Sequence, residues 1–102
     1  LSFLNPDKAH NLVNKSFLTL SNLLKIDNME KLKVRYIIHC SCMIERLIQK
    51  EALPYKNVDE LIQSRLEIYN KIKLSLENIE GTYGFRVPDT EIGYIIELID
   101  TQ

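Results

Sequence analysis

Among the 102 residues of this chain, the histidine, cysteines and arginines around position 40 have the most chemistry to offer. His39 has Arg35 four residues before it and Arg46 seven after it, with Cys42 and Met43 between. On a helix, positions 35, 39, 42 and 46 share one face. Flanking cations disfavour a protonated imidazole, so the ring should be neutral and nucleophilic near neutral pH. The same guanidinium groups suit a phosphoryl group, which carries about −1.5 to −2 charges. The competing reading is a histidine at the edge of the core with two solvated arginines, and spacing alone leaves it open.

Cys40 and Cys42 raise the question of a metal site. Structural zinc sites bring a second ligand pair, and here His10 is the only other histidine. Two residues apart on a helix, the thiols diverge by about 200° and cannot form a disulfide of normal geometry. They read as small core residues, in keeping with a reducing cytoplasm. Neither a metal nor another cofactor is expected. His10, beside Lys8, reads as surface or groove-lining. Glu45, and Glu67 with Lys71, read as solvated helix charges. No Gly-rich phosphate loop, Ser-His-Asp set or pair of catalytic carboxylates can be assembled, so no enzyme is expected.

The elements that must hold these residues are helices. Asn5-Pro6-Asp7 is a capping residue, a proline and an acid at a helix start, followed by the stripe Val13, Phe17, Leu20, Leu24. A second helix, from about Asn28 to Lys50, is apolar around much of its circumference and should be central. Asp27 with Glu30, and Asn57 with Glu60, have capping-box spacing. From Val58 to Tyr83 apolar residues recur at threes and fours for about 25 residues, longer than most globular helices, which predicts a break within the stretch. Gly81 and Gly84 end it. Pro88-Asp89 opens a last helix carrying Ile92, Ile95, Ile96 and Ile99. Only Tyr83 to Val87 could pass for a strand, too short to found a sheet. The expected fold is all-α, one bundle of four or five helices.

Composition agrees: 45% hydrophobic and 26% charged residues make an ordinary globular chain with enough length for a single core. A net charge of −1 with no basic run argues against a nucleic-acid surface. No apolar run approaches the roughly 20 residues that span a bilayer, and there is no signal-peptide pattern. Initiator methionine is normally removed only before a small residue. A chain beginning at Leu1 is therefore expected to be a domain, residues 1–102, excised from a larger protein.

His39-Cys-Ser-Cys-Met-Ile-Glu-Arg46 resembles the first signature of the phosphotransferase-system regulation domain, or PRD, in which a histidine precedes an arginine by seven residues on a central helix. Tyr83-Gly84 and then Val87-Pro88-Asp89-Thr90-Glu91-Ile92-Gly93-Tyr94-Ile95 resembles the second, a turn leading into an acid-apolar-small-aromatic-apolar helix start. The order and separation of the two also fit. The family usually carries another histidine seven residues after the acid at Glu91; here that position is Leu98, which cannot accept a phosphoryl group. This one-histidine pattern looks most like the C-terminal PRD of levanase-operon-type sigma-54-dependent transcriptional activators.

The resemblance implies a regulatory helical bundle of a transcriptional regulator. His39 would be the phosphoacceptor, with Arg35 and Arg46 offsetting the incoming charge. The sugar phosphotransferase components EIIB or HPr would be the donors. It further implies a homodimer without direct nucleic-acid or membrane contact, and inhibition as the outcome of phosphorylation.

Overall fold

The computed structural model describes residues 5–101. Their regular structure is five α-helices: α1 (Pro6–Leu23), α2 (Met29–Ile48), α3 (Val58–Ser64), α4 (Leu66–Tyr83) and α5 (Asp89–Asp100). The expected all-α bundle is what forms.

Helix α1 starts as its sequence dictates. The Asn5 side chain accepts from the backbone N–H groups of Asp7 and Lys8, with Pro6 in the first turn. The two capping-box spacings do not act as boxes. Asp27 falls one residue before the cap of α2, which is Asn28, and Asn28 and Asn57 both take left-handed backbone (φ 53° and 61°) and make no side-chain cap bond. Asn tolerates that conformation better than most residues, so here it turns the chain into the helix instead of capping it. The long stripe is indeed broken: Arg65 ends α3 and begins α4. Arg65 is held by Asp100 through Nε at 3.1 Å and Nη2 at 2.5 Å. Gly84, at φ 72°, closes α4, whereas Gly81 lies inside it. The stretch after Tyr83 is irregular up to Pro88, not a strand. The Val87 N–H donates to Glu80 Oε2 at 2.8 Å.

Helix α1 packs on α2 and α4, while α5 packs on α2, α3 and α4. Three helices meet at Tyr36, whose fully buried hydroxyl pairs with Ser16 at 2.6 Å and Ser75 at 3.4 Å. These bonds satisfy a polar group that would otherwise be stranded in an apolar core. Leu20, Leu32, Met43, Ile44, Ile72, Leu76, Ile79, Ile92, Ile95 and Ile96 belong to the same core, each essentially without exposure. Helix α2 is central along its Leu32–Tyr36–Cys40–Met43–Leu47 face. Its apolar character is only partly used. Val34 and Ile38 lie off that face and stay 58% and 61% exposed.

Candidate functional site: a buried carboxylate between His39 and Arg46

Helices α2 and α5 run antiparallel. Arg35 meets Thr101 at one end of the pair, and Arg46 meets Glu91 at the other. His39 lies between, near Glu91 and Tyr94. The α2 periodicity that places 39 and 46 on one face thus turns both toward the first turn of α5.

Glu91 is the hub. It is 0% exposed. Arg46 binds it with two donors, Nη2 to Oε1 at 2.7 Å and Nε to Oε2 at 3.2 Å, in the bidentate geometry that suits guanidinium and carboxylate. The backbone N–H of Leu53, in the connection between α2 and α3, donates to Oε2 at 2.8 Å. His39 Nε2 stands 3.8 Å from Oε1, too far for a hydrogen bond, and is itself buried with no hydrogen-bond partner. The His39 side chain as a whole keeps 15% of its surface exposed. A buried carboxylate is tolerable only when paired. Removing one member of such a pair typically costs about 3–5 kcal/mol, so Arg46 is held firmly to Glu91.

The connection carrying Leu53 is fastened to α5 at further points. The Tyr94 hydroxyl donates to the Pro54 carbonyl and the Tyr55 hydroxyl to Glu97, while the Tyr55 and Tyr94 rings meet edge-on at 4.8 Å. The close approach depends on Gly93. A Cβ there would lie 2.8 Å from Val58 Cγ2 and 3.0 Å from Tyr55 Cδ2.

The electrostatics follow from this geometry. Burial is the main influence holding His39 below the ordinary value of 6.5; the Glu91 carboxylate opposes it and the Arg46 guanidinium adds to it. The sequence expectation of a ring disinclined to protonate is therefore met, but chiefly by loss of water, with one arginine contributing. The hydrogen bonds to Glu91 push Arg46 higher still, so it is charged throughout. Burial pushes the Cys40 thiol up to about 12.

The residues singled out from sequence are only partly brought together. His39 and Arg46 converge on Glu91. Arg35 instead donates to the Thr101 carbonyl at 3.1 Å and the Thr101 hydroxyl at 3.0 Å, at the far end of α5. Cys40 is buried and Cys42 exposed, both as free thiols, as their divergence on a helix required. Among the described residues no three His, Cys, Asp or Glu side chains cluster as a metal site would need. His10 is exposed. Lys71 binds Glu67 at 2.9 Å across one helical turn. Leu98, at the position of the family's further histidine, packs partly buried against the core. Sequence reasoning placed Glu91 only as an acid in a helix start. Its role as the shared partner of Arg46 and the Leu53 amide was missed, since the only signal was an acid matched to a motif 45 residues from its partner.

No helix among the described residues is long and apolar enough to cross a membrane. No solved structure matches the chain. The transcriptional regulatory protein DagR of Salmonella typhimurium is 27% identical over 99 residues, an alignment covering 97% of this chain. The chain spans only 11% of that relative's length. The PRD domain model matches residues 14–101, taking in both signatures and all of α2 to α5. The chain belongs to the PRD domain family.

Proposed function

We propose that this chain is a phosphorylatable regulatory domain, excised from a bacterial transcriptional regulator, and that His39 is its phosphoacceptor. The observation that carries this reading is a partly exposed imidazole, kept neutral by burial, set beside the one guanidinium of α2 that faces α5 at Glu91. A neutral ring can attack the phosphorus of a phosphohistidine on a donor protein. The donor's N–P bond breaks as the bond to His39 forms, and the donor imidazole takes up the proton that His39 gives up. The donor supplies the reactive bond, so the domain serves as substrate and not as enzyme. EIIB or HPr of a sugar phosphotransferase system would be the donor, and a sigma-54-dependent activator the parent. Arg46 would offset the new charge. Arg35 could contribute only after leaving Thr101. The exposed Val34 and Ile38, one turn apart on the same helix as His39, would be covered in a homodimer.

A second reading, a helical interaction module without phosphorylation, draws support from the burial of Nε2 and the engagement of both arginines. The two are separated by incubating the protein with phosphoenolpyruvate, enzyme I, HPr and candidate EIIB proteins, then mapping acid-labile phosphate. Label on wild type and its loss in His39→Ala is the expected result. Equal uptake by both proteins would remove His39 as the site, and no uptake by either would favour the interaction module.

A further inference from the structure

We propose that Glu91 is a built-in stand-in for the phosphoryl group: it occupies Arg46 in the unmodified domain and is displaced from it when His39 is phosphorylated, freeing the connection between α2 and α3. This rests on the phosphoacceptor reading of His39. Three observations carry it. The carboxylate sits bidentate on Arg46, the arrangement a phosphoryl group would also take. It lies 3.8 Å from His39 Nε2, so a dianion on the ring arrives beside an existing buried anion and competes for the same cation. And Glu91 is not idle otherwise. Its Oε2 is the acceptor for the Leu53 N–H, so its displacement removes the bond that fastens the segment after α2 to the start of α5.

The exchange makes one guanidinium serve two anions in turn. Unmodified, Arg46 neutralises Glu91 and the segment is seated. Modified, Arg46 turns to the phosphoryl oxygens, Glu91 loses its partner next to a like charge, and a carboxylate without a partner moves to water. The segment that moves carries Leu53, Pro54 and Tyr55, whose bonds to Glu91, Tyr94 and Glu97 define its seat. The domain thus converts a charge on α2 into exposure of the face of α5 beneath that segment.

The test uses small-molecule phosphorylation, so that no protein partner covers the surface. Potassium phosphoramidate transfers its phosphoryl group to histidine with release of ammonia. A His10→Gln background leaves His39 as the only histidine, and the labelled residue is mapped by mass spectrometry. Amide hydrogen exchange is then read by NMR at Leu53 and at Val87. Val87 is the internal reference, because its N–H is likewise bound to a carboxylate, that of Glu80, which shares no hydrogen bond with Arg46 or Glu91. The expected result is exchange at Leu53 faster by about tenfold or more with Val87 unchanged. The acceleration should shrink in Glu91→Gln, which has no charge to expel. Label on His39 with Leu53 unchanged would overturn the exchange while leaving the phosphoacceptor reading intact. Equal acceleration at both amides would mean general loosening and would also overturn it. Absence of label on His39 would overturn both.

Discussion

At His39 the dominant influence on the ring's proton is loss of water, with Arg46 adding to it and Glu91 working against it. The direction of the resulting pH dependence follows. Below 6.5 the unfolded ring binds a proton that the folded ring resists. The stabilising contribution is therefore complete above 6.5 and is lost as pH falls from there through the lower folded value. Urea unfolding at about pH 7.5 and about pH 5.5 should show a larger drop for wild type than for His39→Asn, which cannot titrate. Equal drops would mean that His39 carries no such linkage. The residue scale is also where sequence reading succeeded only in part. Seven-residue spacing on one helix face is a local property, so the pairing of His39 with Arg46 was legible. The carboxylate that unites them lies on another helix, and local spacing cannot report it. For the same reason Arg35 read as a companion of His39. It shares the helix face, but the end of α5 offers it a carbonyl and a hydroxyl instead.

Helices were the most legible level. The start of α1, the interruption between α3 and α4 and the opening of α5 after Pro88 all follow from local chemistry: a side-chain cap, a stripe too long for one helix, and a proline that cannot continue one. What local pattern could not supply was the backbone conformation at Asn28 and Asn57, which are left-handed and make no side-chain cap bond. Gly84 shows the reverse, a residue type dictated by its conformation alone. At φ 72°, a Cβ added there would meet nothing within 4 Å, so the only penalty for a side chain is backbone strain. Gly84→Ala should therefore cost about 1 kcal/mol, and Gly84→Asn less, measured as shifts in the urea midpoint at constant slope. Identical effects of the two substitutions would show that something other than left-handed strain is at work.

For the whole molecule, the Cα radius of gyration of 12.9 Å matches the value of about 13 Å expected of one compact domain of this length. The core is continuous from α1 to α5, and Tyr36 ties α1, α2 and α4 with one hydroxyl. Unfolding should accordingly be a single transition, with helix content by circular dichroism and tyrosine fluorescence changing together in urea. Separate midpoints would divide the bundle into independently melting parts. The class of fold was readable because periodicity specifies helices and length limits their number. The packing order was not, because it depends on which apolar faces find each other. Val34 and Ile38 made α2 look more enclosed than it is.

The missing side chain at Gly93 has a consequence of its own. With Val58 and Tyr55 already against the α5 backbone, residue 93 sets the clearance of the seam that Glu91 closes electrostatically. A single methyl group would act as a wedge, prising that seam by shape with no change in charge. A bulkier residue at position 93 would hold the same connection farther from α5.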